Sequence, residues 1–246
     1  IMKSERPLIL AGGGVISSGA SRELRELTKL AGIPVATTLM GKSCIDENHP
    51  LSLGIVGMHG RKIANYATLQ TDLMIAIGCR FSDRITGNLE SYLEYAKLIH
   101  IDVDPAEIGK NVKVNLPIVS DAKRALKSLT ESLKKKAYKQ KGEWQKKITG
   151  LGKKCDACIE FKSKKKGTIF PKEIVEEVNK LLKKNDIVTT GVGQHQMFAM
   201  HYLRLNSPRT FISSGGAGTM GFGLPAAIGA KVAKPDSNVF CFDGDG

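Results

Sequence analysis

Two acidic residues close the chain directly behind an apolar run. The run Val239–Phe242 is followed by Asp243-Gly244-Asp245-Gly246. A glycine-rich stretch, GGAGTMGFG at residues 215–223, precedes this run and opens an alanine-rich helix predicted from about Leu224 to Val232. Carboxylates offer the hard oxygen ligands that Mg²⁺ prefers, and glycines let phosphate approach the backbone. The segment therefore predicts a Mg²⁺-diphosphate site, with Asp245 as metal ligand and Gly244 against the phosphate.

A second phosphate-binding pattern lies earlier in the chain. Gly193-Gln194-His195 follows the predicted strand Ile187–Thr190 and opens a helix. The free N–H groups and the dipole of a helix N-terminus attract an anion. The glycines from Gly215 to Gly221, Gly218 among them, form a second backbone cradle that holds the bulky Met220. Helix capping by Gln194 and His195, and core packing of Met220, are the purely structural alternatives.

Small or polar residues follow five successive predicted strands in the first half of the chain. They are Gly12-Gly13-Gly14, Thr38-Leu39-Met40, Gly57-Met58-His59-Gly60, Gly78-Cys79-Arg80 and Asp102-Val103-Asp104. Ligands of open parallel sheets bind at the carboxyl ends of the strands, and glycines there allow close approach of a pyrophosphate. Asp102 or Asp104 could accept hydrogen bonds from ribose hydroxyls, and we also assign Asp83 and Asp121 to this pocket.

Each of these strand-end features has a structural alternative. Gly12–Gly14 lacks the GxGxxG spacing and could be a plain turn. His59 could be an ordinary surface histidine, and Asp104 before Pro105 could cap a helix. Their joint occurrence at five strand ends predicts a dinucleotide site.

Apolar strands alternate with amphipathic helices along the chain, which is typical of α/β proteins with parallel sheets. The strands are predicted at 8–11, 35–37, 73–77, 98–103, 118–119, 187–190, 210–212 and 239–242, with helices at 21–31, 61–69, 122–133, from 171, 196–203 and 224–232. We expect two Rossmann-like domains, 1–133 and 168–246, joined by a lysine-rich linker at 134–167. The second domain is expected to be incomplete.

The net charge of +13 does not indicate a nucleic-acid-binding protein. Residues 131–167 hold 13 lysines and 4 acidic residues, so most of the excess charge lies in one stretch. This stretch mixes lysine clusters with Trp144, Ile148 and Leu151, as expected of a solvated helical linker, whereas a nucleic-acid groove would interleave arginine and aromatic residues.

The five cysteines and the apolar runs bear on location. Cys155 and Cys158 form a lone CxxC with no second pair to complete a zinc site, and the odd, scattered cysteines suit a reducing cytoplasm. No apolar run approaches the roughly 20 residues that span a bilayer. We therefore expect a cytoplasmic protein with no membrane or nucleic-acid partner.

Five segments together closely resemble the large catalytic subunit of acetolactate synthases. They are GMHG, GCRFSDRITG, TTGVGQHQM, SSGGAGTMGFGLPAA and FDGDG, in this order. The resemblance covers nearly the whole chain and implies a central FAD-binding domain followed by the start of a thiamine-diphosphate-binding domain. It also implies a larger enzyme. The pyrimidine-binding domain with its activating glutamate, and the asparagine half of the metal motif, have no match here, so we expect the 246-residue chain alone to be inactive.

The resemblance further implies a reaction and residue roles. Pyruvate is decarboxylated and the remaining two-carbon unit is joined to a second 2-oxo acid, pyruvate or 2-oxobutyrate, with thiamine diphosphate, Mg²⁺ and FAD as cofactors. Met220 would support thiamine diphosphate, and the Gly218 carbonyl would accept a hydrogen bond from the amino group of this cofactor. Asp245 would hold Mg²⁺. Gln194 and His195 would contact the diphosphate end and the reacting centre. Arg84 would bind the carboxylate of the second substrate; a surface ion pair with Asp83 or Glu90 is the alternative.

The same resemblance implies a homodimer or tetramer with a small regulatory subunit. Glyoxylate carboligase and pyruvate oxidase would share the GDG motif and the flavin pocket, but Arg84 in its RITG context and the Gln194-His195-Gln196 run favour acetolactate synthase. A non-catalytic FAD-binding module is an alternative from another class, and a nucleic-acid-binding role of the lysine-rich linker is the most remote one.

Overall fold

The first half of the chain builds one parallel sheet from short apolar runs. The structure, a computed structural model, describes residues 1–138, 142–154 and 167–244. The strands are Pro7–Ala11 (β1), Val35–Thr37 (β2), Ser52–Ile55 (β3), Leu73–Ile77 (β4), Lys97–Asp102 (β5) and Leu116–Val119 (β6), and they pair in the order β3-β2-β1-β4-β5-β6. All residues of β1 and β4 are buried, as expected of central strands covered on both faces.

Helices cover both faces of this sheet. They are Gly13–Ser17 (α1), Ser21–Ala31 (α2), Lys62–Gln70 (α3), Asp83–Thr86 (α4), Ala122–Lys135 (α5) and Glu143–Lys154 (α6), with a 3₁₀ turn at Leu39–Gly41. Because side chains alternate along a strand, Ile9 and Ala11 of β1 face the core under α2 and α5, whereas Leu8 and Leu10 face the core under α3 and α6. Helix α2 ends at Gly32, which adopts the left-handed φ of 64° that glycine allows.

The described part of the lysine-rich stretch is packed against the first sheet. In α6 the side chains of Trp144 and Ile148 are buried, and the Trp144 indole N–H donates to the carbonyl of Pro7 at 3.1 Å. Their i, i+4 spacing places both on one face of the helix. The structure thus differs here from the expected solvated linker. Cys155 and Cys158 lie outside the described residues.

A second, smaller parallel sheet follows. Its strands are Ile187–Thr190 (β7), Phe211–Ser213 (β8) and Val239–Phe242 (β9), in the order β8-β7-β9, and its helices are Pro171–Leu181 (α7), Gln194–Tyr202 (α8) and Gly223–Ala233 (α9). Val175, Val188 and Ala199 form the centre of its core. The predicted α/β class with two parallel sheets is confirmed. Across the described residues, no helix is both long and apolar enough to cross a membrane.

Candidate functional site

The chain changes direction within the first sheet between β1 and β4. Successive connections lead outward to β2 and β3 on one side and to β5 and β6 on the other, which makes the carboxyl ends of β1 and β4 a topological switch point. Gly14 N donates to the Gly78 carbonyl at 3.1 Å across this point. A crevice at such a position is where open α/β sheets bind ligands.

The glycines at the switch point pack against each other. A Cβ atom added to Gly12 would overlap the carbonyl oxygen of Gly78, and one added to Gly14 would lie 2.6 Å from the Gly78 Cα atom. A Cβ atom added to Gly41 would likewise overlap the carbonyl oxygen of Ala11. In the described structure, close contact between two backbone segments therefore requires these glycines, whether or not a phosphate lies nearby.

A cavity of about 960 Å³ lies between the switch point and the second sheet. Its volume is at the upper end of the range for small-molecule sites. Of the residues predicted to bind cofactor or substrate, twelve line it: Gly13, Gly14, Thr38, Leu39, Met40, His59, Gly78, Arg80, Arg84, Asp102, Asp104 and Gly218. The structure thus brings together residues from all five predicted strand-end segments. The segment GMHG contributes His59 to this lining.

A smaller cavity of about 230 Å³ adjoins the first one. It shares Gly14, Gly78 and Asp102 with the larger cavity and adds the predicted residues Val103 and Asp121. The Asp121 carboxylate already caps α5 by accepting from the Arg124 amide at 3.1 Å. Two adjoining cavities along the strand ends suit an elongated ligand such as a dinucleotide.

The second domain supplies lining residues from the predicted cradle, at 215–218, and others that no motif indicated. The latter are Val192, Gln196, Met197, Met200 and Ser214, and the first domain adds Ile55, Val56, Ser82, Ile85 and Glu107. Gln196 is buried, and its amide donates to Ser213 Oγ at 2.7 Å, which in turn pairs with Thr190 Oγ1 at 2.7 Å. The signal that could have indicated Gln196 is its position in α8, two residues after the exposed Gln194 and therefore on the side of the helix that faces the sheet.

The loop with the sequence GMHG is held from two sides. Asn65 clamps Gly57 through hydrogen bonds of 2.9 Å to both its N–H and its carbonyl group. The Met58 amide donates to the backbone carbonyl of Arg84 at 2.8 Å. This loop places His59 on the cavity wall, whereas Gly57, Met58 and Gly60 do not line the cavity and serve as its frame.

Arg84 lies at the mouth of the cavity. Its side chain is 72% exposed, and its Nε atom is 3.8 Å from Asp83 Oδ2. An exposed ion pair at this distance contributes little to stability. The pair with Asp83 therefore leaves the guanidinium group available to a ligand. Arg80 also lines the cavity, as do three carboxylates, those of Asp102, Asp104 and Glu107.

The predicted residues Gly193 and Gly244 lie beside His195 at the start of α8. The Nε2 atom of this histidine lies 3.8 Å from Asp243 Oδ1 and, among the described residues, makes no hydrogen bond although it is buried. Gln194 is exposed, and Met220 is 68% exposed, so Met220 is no core residue here.

The features around His195 fit a diphosphate and a metal ion in part. A Cβ atom added to Gly216 or Gly221 would meet no atom within 4 Å, whereas one added to Gly215 would lie 2.5 Å from Met40 Sδ, so the predicted cradle is open only in part. The unpartnered Nε2 atom and the Asp243 carboxylate offer polar groups beside it. Asp245, the predicted metal ligand, lies outside the described residues, and within those residues no group of three His, Cys, Asp or Glu side chains could hold a metal ion.

Acid is expected to destabilise the protein through the buried His201 on α8. Desolvation, reinforced by the charges of Arg61 and Lys42, lowers the pKa of His201 to about 4 from 6.5. The unfolded chain therefore binds the proton more tightly, and stability falls as pH drops from 6.5 towards 4. Between pH 7 and pH 5 the loss due to His201 should be about 2 kcal/mol.

Urea unfolding of wild type and His201→Gln at both pH values measures this loss. The variant should lose about 2 kcal/mol less on acidification, whereas Lys180→Met, an exposed position whose charge does not act on His201, should behave like wild type. An undiminished acid effect in His201→Gln would contradict this assignment.

Comparison with known proteins agrees with this architecture. The family model described as "Thiamine pyrophosphate enzyme, central domain" matches residues 1–129, and "Thiamine pyrophosphate enzyme, C-terminal TPP binding domain" matches residues 191–246. A probable acetolactate synthase large subunit of Methanocaldococcus jannaschii is 54% identical over 249 residues, covering all of this chain and 42% of the relative. The acetolactate synthase large subunit of Buchnera aphidicola is 45% identical over 247 residues, covering 43% of its length.

The chain therefore spans about two fifths of the length of the curated relatives that it matches. The match to the central-domain model covers more than half of the chain, and the identity to these relatives extends over all of it. The chain thus belongs to the thiamine pyrophosphate enzymes and is homologous to acetolactate synthase large subunits.

Proposed function

We propose that this chain forms part of the catalytic subunit of an acetolactate synthase, a transferase. The enzyme would convert two molecules of pyruvate into 2-acetolactate and CO₂, or pyruvate and 2-oxobutyrate into 2-aceto-2-hydroxybutyrate and CO₂, in branched-chain amino-acid biosynthesis. The observation that carries this proposal is the cavity of about 960 Å³, because it joins the strand ends of the first sheet to the glycine-rich turn of the second, with Arg84 at its mouth.

We assign the first-domain wall of this cavity to FAD. The pyrophosphate would lie along Gly13, Gly14 and Gly78 and the ribose near Asp102, with the smaller cavity at Val103 and Asp121 taking one end of the ligand. The overall reaction has no net redox change, so FAD would have a structural role. The polar groups of this wall then bind and orient the flavin, and they transfer no protons.

We assign the second-domain wall, together with the adjacent start of α8 and the glycine-rich turn that continues from the wall, to thiamine diphosphate and Mg²⁺. The cofactor supplies the electron sink for decarboxylation. Gly193, Gln194 and His195 would contact the diphosphate at the N-terminus of α8. Gly218 and Met220 would support the ring system in the partly open cradle, and Gly244 and Asp245 would lie at the phosphate and metal.

Arg84 would receive the carboxylate of the second 2-oxo acid. A guanidinium group is planar and permanently charged, which suits bidentate binding of a carboxylate. The lack of a close ion pair to Asp83 supports this role, because the group needs no rearrangement to bind. Gln196, held by Ser213, would orient groups deeper in the cavity.

The proposal extends to organisation and location. We propose the domain division at 1–133 and 168–246, a homodimer or tetramer, and a small regulatory subunit; the relatives' name "large subunit" supports the last of these. A cytoplasmic location is supported by the thiols of Cys44, Cys79 and Cys241, which are free.

FAD should bind to the 246-residue chain weakly, with a Kd on the order of micromolar or higher. The strand-end pocket lies within the first domain, but the cavity is lined there by Arg84, whose side chain is exposed to solvent. Titration of FAD with increasing protein, followed by flavin fluorescence, measures this. Unchanged fluorescence at high protein concentration would contradict the flavin assignment.

Activity is tested on the protein expressed from its complete gene. Incubation with pyruvate, Mg²⁺ and thiamine diphosphate should give acetolactate by the colorimetric assay, and added 2-oxobutyrate should divert part of the product to 2-aceto-2-hydroxybutyrate. Omission of thiamine diphosphate from the apoprotein is the control. No acetolactate from protein that binds both cofactors would overturn the proposed function.

A further inference from the structure

A buried ion pair lies at the boundary between the two domains. The Lys42 ammonium group is 2.8 Å from Glu47 Oε2, and both side chains are almost completely buried, with exposed fractions of 2% and 6%. Both residues belong to the loop between β2 and β3 of the first domain. A buried ion pair adds little net stability over an apolar pair, so its presence calls for a geometric explanation.

Both members of the pair also bind the backbone of the second domain. Lys42 Nζ donates to the carbonyl of Leu203 at 3.2 Å, and the amide of Leu205 donates to Glu47 Oε2 at 3.0 Å. The Glu47 amide returns a hydrogen bond to the carbonyl of Leu205 at 3.1 Å. The pair thus presents one charged donor and one charged acceptor to complementary groups of a single segment, residues 203–205, directly after α8.

We call Lys42, Glu47 and their partners in residues 203–205 the clasp. Further contacts between the two domains lie near it. Asn48 Nδ2 donates to Asn206 Oδ1 at 2.7 Å. On the other side, the Arg209 guanidinium group donates to the carbonyls of Ile16 and Ser17, at the end of α1, at 2.9 and 3.2 Å. The clasp is the buried member of this row of contacts.

The clasp joins the two walls of the cavity. Lys42 follows Leu39 and Met40, which line the first-domain wall, by two residues. Leu203 follows α8, whose Met197 and Met200 line the second-domain wall. We propose that Lys42 and Glu47 are positioning residues that hold the two walls at the separation the ligands need. This goes beyond the proposed function, because domain closure can be measured without any ligand.

A charge swap separates this role from a local one. In Lys42→Glu/Glu47→Lys the loop keeps an opposite-charge pair, but a carboxylate then faces the Leu203 carbonyl and an ammonium group faces the Leu205 amide. Hydrogen exchange of the amides of Leu205 and of residue 47, which are both hydrogen-bonded between the two domains in wild type, should become at least about tenfold faster in the 246-residue chain. The FAD affinity should fall about tenfold, with flavin fluorescence closer to that of free FAD.

Two comparisons keep this test decisive. Lys180→Met breaks the exposed pair with Glu177 and should leave exchange and FAD affinity unchanged. The emission of Trp144, the single tryptophan, reports whether the first domain is folded. If the swap variant loses the native emission, the uncharged variant Lys42→Met/Glu47→Leu replaces it, because it removes both the donor to Leu203 and the acceptor for the Leu205 amide; the same acceleration of exchange is expected.

Wild-type exchange at the amides of Leu205 and residue 47 in a folded variant would overturn the proposal, and so would weakened FAD binding with wild-type exchange. If wild type itself binds no FAD, the flavin assignment fails, while the exchange measurement still decides the role of the clasp.

Discussion

Replacing Arg84 by alanine is expected to lower kcat/KM for carboligation roughly 30- to 1,000-fold in the protein expressed from its complete gene. The change removes a charge-assisted, bidentate contact to the acceptor carboxylate worth about 2–4 kcal/mol. Decarboxylation of the first pyruvate should suffer less, so released acetaldehyde should rise relative to acetolactate. Steady-state kinetics with both products quantified measures the effect.

Three comparisons test the role of Arg84. Lysine at this position should restore activity only in part, because it has the charge without the planar fork. Arg22→Ala is a matched control, since the Arg22 side chain is also 72% exposed and pairs with an adjacent acidic residue, Glu23. Flavin content should stay near normal in Arg84→Ala. Loss of FAD with normal carboligation after reconstitution would make Arg84 a flavin-binding residue instead.

Replacing Gly12 by alanine is expected to cost about 3 kcal/mol or more of folding stability. The added Cβ atom would overlap the Gly78 carbonyl oxygen and lie 2.6 Å from its carbon, and both are backbone atoms of a neighbouring central strand end that cannot turn away as a side chain would. Separation of β1 from β4 at this point should also open the switch point and weaken FAD binding. Urea unfolding and FAD titration of the 246-residue chain measure both effects.

Gly216→Ala is the matched control for Gly12→Ala. Gly216 lines the cavity, but a Cβ atom added to it would meet no atom within 4 Å, so the stability of this variant should stay within about 0.5 kcal/mol of wild type. If Gly12→Ala kept wild-type stability and lost only FAD, ligand approach rather than backbone packing would explain this glycine, as the sequence alone had indicated.

Elements with one dominant local signal could be predicted to the residue. Helix α2 has an apolar stripe and a stop at Gly32, and β4 is a run of five apolar residues. Strand β3 was missed because its sequence, SLGI, buries alternate positions only and contains a glycine. The packing of α6 was missed because its lysines conceal the apolar face that Trp144 and Ile148 form.

The site could be predicted where it follows from strand ends and could not where it follows from long-range packing. Small and polar residues after successive parallel strands must meet at one edge, and most of those named do line the cavity. The second wall with Gln196 depends on how the domains meet, and that contact is made by Lys42 and Glu47, which carry no motif. The contact of Gly12 with Gly78 likewise depends on strand order, which local sequence does not specify.

The stoichiometry of pyruvate consumption tests the central claim most directly. With the protein expressed from its complete gene, Mg²⁺, thiamine diphosphate and FAD, the account predicts one CO₂ and one acetolactate for every two pyruvate molecules consumed, without oxygen uptake. Carbon-13 NMR of labelled pyruvate, together with an oxygen electrode, measures all four quantities. One CO₂ for each pyruvate with matching oxygen uptake, and no acetolactate, would indicate an oxidase and contradict the account.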